Sequence, residues 1–133
     1  ICTQLKSNLL KSNKGVILNV SSIYGFITPK FDIYKNSNIV NFFDYSSSKS
    51  SLIYLNVWLA KKLSPKIRVN CISPGGIVRN QSKNFIKKYS SKTLLGRMAN
   101  EKDIVEPMIF LISNCSKYIT GQNLIVDGGF AIK

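Results

Sequence analysis

Tyr45 and Lys49 stand four residues apart at the head of an apolar, helix-favouring stretch, and Ser22 ends an earlier apolar run. Four residues is about one helical turn, so the phenol and the ammonium project from one face and can meet. A free phenol has a pKa near 10, and acting as acid and base near neutrality asks for about 4 kcal/mol of help to its anion. One ammonium at about 4 Å supplies on the order of 4 kcal/mol at a near-surface effective dielectric. A Tyr–Lys pair can therefore move a proton at a carbonyl or alcohol oxygen. A chain with six tyrosines and so many lysines also produces such pairs by accident, so context has to decide.

Holding the pair beside a ligand requires strand ends and a helix start to converge. Val16-Ile17-Leu18-Asn19-Val20 is a nearly continuous apolar run, typical of a buried strand in a parallel sheet. Ser21 and Ser22 follow at its C-terminal end, where open α/β sheets place their ligands. Leu5 and Leu9 predict a helix from Gln4 to Leu10, stopped by Ser12-Asn13-Lys14-Gly15. Asp44 is expected to cap a helix from Tyr45 to about Leu63, closed by Lys61, Lys62 and Pro65. Between Leu52 and Ala60 this helix has almost no polar face, so it needs the sheet on one side and a second chain or further segment on the other.

Ile67 to Ser73 reads as a second strand ended by Pro74-Gly75-Gly76, and Asn123 to Val126 as a third ended by Asp127-Gly128-Gly129. The stretch from Ile77 to about Arg97 is polar, Lys-rich and expected to be mobile, with a short helix around Lys83 to Tyr89. Glu101 and Asp103 open a helix reaching about Ser113, with a local distortion expected at Pro107. Gly25 begins a long irregular segment through Pro29, Asn36, Asn38 and Asn41, carrying Phe26, Phe31, Tyr34, Phe42 and Phe43. A loop of that length in a compact domain is usually functional. Strands alternating with helices imply right-handed crossovers and an α/β, doubly wound, mostly parallel sheet.

At 133 residues and 44% hydrophobic, the chain is at most one domain with a packed core. It starts at Ile1 inside a predicted helix, so the expectation is the C-terminal part of a longer protein. No apolar run is long enough to span a bilayer, and nothing reads as a signal peptide. Cys2, Cys71 and Cys115 are widely spaced and no histidine is present, so no metal site is expected, Cys71 reads as a buried free thiol, and a reducing cytoplasm fits best. The net charge of +13 raises nucleic acid as a partner. The lysines are scattered and only three arginines occur (Arg68, Arg79 and Arg97), which reads as compositional drift and argues against a nucleic-acid partner.

The ordered set Asn19-Val20-Ser21-Ser22-Ile23-Tyr24-Gly25, Tyr45-Ser46-Ser47-Ser48-Lys49, Arg68-Val69-Asn70-Cys71-Ile72-Ser73-Pro74-Gly75-Gly76-Ile77, Ile119-Thr120-Gly121-Gln122 and Val126-Asp127-Gly128-Gly129 resembles the C-terminal half of the short-chain dehydrogenase/reductases. The resemblance implies a Rossmann-like fold whose N-terminal βαβ units lie upstream, with residues 1–133 as the catalytic part of one domain. It implies NAD or NADP as cofactor. Tyr45 is then the general acid/base, Lys49 lowers the tyrosine pKa and binds the nicotinamide ribose, and Ser22 steadies the substrate oxygen. Ser22 is preferred to Ser21 because the family pattern has a glycine three residues later, and Gly25 is there. Pro74, Gly75, Gly76 and Ile77 would lie against the nicotinamide, with Ile77 backbone groups on its carboxamide. Asn70 is expected to brace backbone, and Gly128-Gly129 to be a structural turn.

Departures from the pattern are equally specific. The glycine-rich phosphate loop and the proton-relaying Asn of the family are absent and are expected upstream of Ile1. Arg79 stands where the family commonly has a cofactor-touching Thr, which puts that contact in doubt. The separation of Ser22 from Tyr45 exceeds the family's usual dozen or so residues, and the extra aromatic loop would border the substrate pocket. The chain looks similar to oxidoreductases of flagellin modification and nonulosonic acid synthesis, so a sugar or nucleotide-sugar substrate is expected. A homodimer or homotetramer through the Tyr45–Leu63 helix follows from its missing polar face. The alternatives are a nucleotide-sugar epimerase or dehydratase, which shares the Tyr-x-x-x-Lys device, and a non-catalytic basic Rossmann-like binding module.

Overall fold

The computed structural model describes residues 2–12, 15–35, 37 and 43–133. Three strands, β1 (Gly15–Val20), β2 (Ile67–Pro74) and β3 (Asn123–Val126), form one parallel sheet in the order β1-β2-β3. Among the described residues four helices accompany them: α1 (Cys2–Lys11), α2 (Phe43–Leu63), α3 (Lys83–Ser90) and α4 (Glu101–Ile112). None of the described helices is long and apolar enough to cross a membrane. Helices cover both faces of the sheet, and β2, its central strand, is almost wholly buried.

One face carries α1 and α2, with Leu59, Ala60 and Leu63 packed on Ile67 and Val69 beside Ile17, Leu9 and Leu10. The opposite face carries α4, with Ile104 and Leu111 packed on Ile72 beside Leu18, Leu124 and Val126. Both crossovers step the same way along the sheet while their helices lie on opposite faces. The two crossovers therefore have opposite hands, and the expectation that both are right-handed fails for one. The excursion from Gly75 to Asn100 is what carries the chain to the other face.

That excursion is packed, contrary to its polar, mobile reading. Phe85 and Tyr89 of α3 and Met98 are buried with Ile23, Ile33 and Phe130 in a third cluster beyond the C-terminal ends of the strands. Its lysines mislead because they occupy the solvent side of α3, while the two aromatics, four apart, form its inner face. A short 3-10 turn at Ile23–Gly25 leads into the long segment, and a second forms at Phe31–Tyr34. Asn36, Asn38, Asn41 and Phe42 lie outside the described residues.

Local signals are honoured elsewhere, with one adjustment. The helix α2 starts at Phe43, so Asp44 sits in its first turn, where its carboxylate accepts the Tyr45 N–H at 2.9 Å. Asn100 caps α4 in a reciprocal box with Asp103, and α4 runs without a break through Pro107. Arg68 closes the far end of α4, its guanidinium donating to the carbonyls of Leu111, Ile119 and Ser113 at 3.0–3.2 Å. Asn70, fully buried, donates to the Ile119 carbonyl and accepts from Gln122 N–H, the bracing role expected of it. Gly128 and Gly129 both take positive φ, as a turn there requires.

Candidate active site

At the C-terminal edge, Val20 of β1 lies opposite Ile72 of β2, and Ser21 N–H continues the ladder to the Ile72 carbonyl at 2.8 Å. Ser22 therefore sits level with Pro74. Its hydroxyl accepts the Tyr24 N–H at 3.2 Å, capping the turn that leads to Gly25. That turn presses on α2: a Cβ at Gly25 would lie 2.9 Å from the carbonyl carbon and oxygen of Lys49. Ser21 hydroxyl reaches the same Lys49 carbonyl at 2.8 Å. Two contacts thus staple the second turn of α2 to the end of β1.

Tyr45 and Lys49 share a face as their spacing demands. The Lys49 ammonium lies 5.6 Å from the centre of the Tyr45 ring and donates to the Val20 carbonyl at 3.0 Å. The Tyr45 side is open, at 44% exposure, whereas Ser22 is buried. Among the described residues no hydrogen bond links the Ser22, Tyr45 and Lys49 side chains directly.

Pro74, Gly75, Gly76 and Ile77 form a turn whose backbone is almost fully engaged. Gly75 N–H donates to Val126 carbonyl, Gly76 N–H to the Tyr89 hydroxyl at 2.6 Å, and Val78 N–H to Ala99 carbonyl. The Gly76 carbonyl accepts from Ala99 N–H, and the Ile77 carbonyl from the Gln81 amide at 3.0 Å. Among the described residues the Ile77 N–H has no partner. A Cβ at Gly75 would meet Asp127 Cα at 2.8 Å, and one at Gly76 would meet the Tyr89 ring at 2.6 Å, so close approach dictates both glycines. The turn thus keeps one unpartnered amide donor on a close-packed glycine pair, one strand away from the end of β1 where the Lys49 ammonium lies.

Several contributors escaped the motif reading. Ser21 works on the Lys49 carbonyl, Tyr89 on the turn, and buried Asn56 of α2 accepts from Asn19 at 3.3 Å while donating to Gln122 carbonyl at 3.2 Å. The periodicity of α3 could have flagged Tyr89 as buried, but not its partner. Arg79, at the position of the family Thr, is engaged by Glu101 at 2.5 Å and by Val78 carbonyl. Cys71 is a buried free thiol, and burial pushes it above its ordinary range.

Residues 1–131 match a family profile described as enoyl-(acyl carrier protein) reductase. Post-translational flagellin modification protein A of Campylobacter coli is 40% identical over 92% of this chain and 48% of that protein. The 3-oxoacyl-acyl-carrier-protein reductase FabG of Chlamydia muridarum is 34% identical over 98% of this chain and 51% of its own length. A short-chain dehydrogenase from Leptospira borgpetersenii, solved with bound NAD+, superposes with a TM-score of 0.86 at 45% identity, covering 98% of this chain and 48% of that one. The chain spans about half the length of the curated relatives it matches. Profile, relatives and fold agree with the ordered motifs and the edge geometry, and the chain belongs to the short-chain dehydrogenase/reductase family.

Proposed function

We propose that this chain carries the proton-transfer half of an NAD(P)-dependent oxidoreductase that interconverts an alcohol and a carbonyl. The supporting observation is the Tyr45–Lys49 pair on one face of α2, stapled to the strand end that presents Ser22. Tyr45 hydroxyl gives a proton to the substrate oxygen in reduction and takes it back in oxidation. Ser22 hydroxyl donates to that oxygen and fixes its distance from the phenol. The Lys49 ammonium would offset charge left on the phenol oxygen when the proton has gone and would hold the cofactor's ribose. NAD or NADP, when bound, supplies the hydride acceptor or donor. Ile77 N–H would hold its carboxamide, and Gly75 and Gly76 allow its ring to approach the backbone.

A sugar or nucleotide-sugar is the substrate class we favour. An open groove beside the Tyr45 end of α2 sets Phe26 and Phe43 against the hydroxyls of Ser46, Ser47 and Ser50. Aromatic rings beside hydroxyls suit a ring that offers C–H faces and hydroxyls together. The likeness to the Campylobacter flagellin-modifying protein points the same way. Tyr54, Leu55 and Trp58 stay exposed on α2, and we assign that face to a second copy of the protein. A reducing cytoplasm suits the unpaired Cys71 and Cys115.

The test is Tyr45→Phe in the whole protein. Turnover should fall by about 10²–10⁴-fold, the usual worth of a positioned general acid/base, with cofactor affinity nearly unchanged. Turnover near wild type would refute the assignment. Net oxidation of added NADH or NADPH separates this reading from an internally cycling epimerase or dehydratase.

A further inference from the structure

We propose that Tyr89 is a positioning residue for the nicotinamide end of the cofactor, acting through the Gly76 amide to aim the Ile77 N–H. The inference rests on the placement of the nicotinamide against the Pro74–Ile77 turn.

Tyr89 is buried within the aromatic cluster, its ring stacked on Phe130 with centroids 4.5 Å apart and planes 17° apart. The Phe85 ring lies 6.1 Å from that of Tyr89 and 5.6 Å from that of Tyr34, centre to centre. A phenylalanine would fill that space, so packing alone does not explain a hydroxyl there. The hydroxyl accepts the Gly76 N–H at 2.6 Å, thirteen residues away. Burial and neighbouring groups push this phenol far above its ordinary range, so it stays neutral throughout the working pH.

The consequence follows from peptide planarity. Gly76 lies between two rigid amide planes, and as a glycine it leaves their mutual rotation nearly free. The first plane is held by Tyr89 hydroxyl on Gly76 N–H. The second contains the Gly76 carbonyl, which accepts from Ala99 N–H at 2.9 Å, and the Ile77 N–H, which points the opposite way. With both planes held, the unpartnered Ile77 N–H has one direction. Loss of the hydroxyl frees the first plane and strands a Gly76 donor, so the turn spreads over several orientations. Only the part of a ligand that touches the turn should notice.

The experiment compares NADH with ADP-ribose, which lacks the nicotinamide, by calorimetric titration of the whole protein. If it turns over NADPH, NADPH and 2′-phospho-ADP-ribose replace them. Tyr89→Phe should weaken NADH about tenfold, equivalent to about 1.4 kcal/mol, and leave ADP-ribose within about twofold. The KM for NADH should rise by a similar factor while kcat changes little. Gly76→Ala, whose Cβ would collide with the Tyr89 ring at 2.6 Å, should reproduce the selective loss. Equal effects on both ligands, no effect on either, or failure of Tyr89→Phe to fold would overturn the proposal. Retained turnover by Tyr45→Phe would instead remove the catalytic reading beneath it, so the two failures are distinguishable.

Discussion

Gly25→Ala tests whether the active-site geometry depends on how closely the Ser22–Gly25 turn approaches α2. The new methyl would stand 2.8 Å from Ile53 Cδ1 and 2.9 Å from the Lys49 carbonyl carbon and oxygen, where ordinary contact begins at 3.4 Å. Ile53 can rotate its terminal methyl away. The Lys49 backbone cannot, because Ser21 hydroxyl holds the same carbonyl from β1 at 2.8 Å. Relief therefore requires about 0.5 Å of separation between turn and helix, stretching the Ser21 bond and moving Ser22 relative to Tyr45 and Lys49. Overpacking of this kind costs about 1–3 kcal/mol. Misplacement of 1 Å can cost about 10²-fold in rate, so about tenfold is expected for half that. The assay is kcat of the whole protein beside its thermal midpoint. Gly96→Ala is the matched control: Gly96 has φ +68° with nothing within 4 Å, so its alanine should cost about 1–2 kcal/mol through backbone strain and leave kcat alone. Should Gly25→Ala keep wild-type kcat while Gly96→Ala lowers it, the steric argument is wrong.

Three further outcomes are expected. Arg68→Met leaves the Leu111 and Ser113 carbonyls at the end of α4, and the Ile119 carbonyl beyond it, without their charged donor, and should lower stability by about 2–4 kcal/mol in denaturant unfolding with little change in KM. Asp103 is held well below the ordinary carboxylate range, first by the Arg97 guanidinium and then by the Asn100 N–H. A depressed folded-state pKa adds stability that is complete above the unfolded value, about 3.9, and is lost as pH falls through the folded value. The thermal-midpoint gap between wild type and Asp103→Asn should accordingly be constant from pH 7 to 5 and narrow below pH 4. A gap that widens on acidification would contradict the pairing. Trp58→Glu places a charge on the exposed apolar face of α2, near Lys62 at 4.5 Å from the indole, and should shift sedimentation of the whole protein to a smaller species. An unchanged sedimentation coefficient would count against α2 as the contact.

What could be read without coordinates was whatever rests on short-range pattern. Apolar runs ended by Ser21-Ser22, Pro74-Gly75-Gly76 and Asp127-Gly128-Gly129 announce strands and their ligand-bearing ends, because pleat and turn chemistry act over a few residues. Tyr45 and Lys49 could be paired because 3.6 residues per turn is a property of the helix alone. Contacts between distant segments were decided only on folding. Ser21 meets Lys49 across 28 residues, Asn56 meets Gln122 across 66, and Tyr89 reaches Gly76 from a helix whose lysines made it look solvated. The side of the sheet taken by α4, and with it the opposite hand of one crossover, depends on where residues 75–100 pack. No local propensity encodes that choice, since it is set by which buried face completes the core.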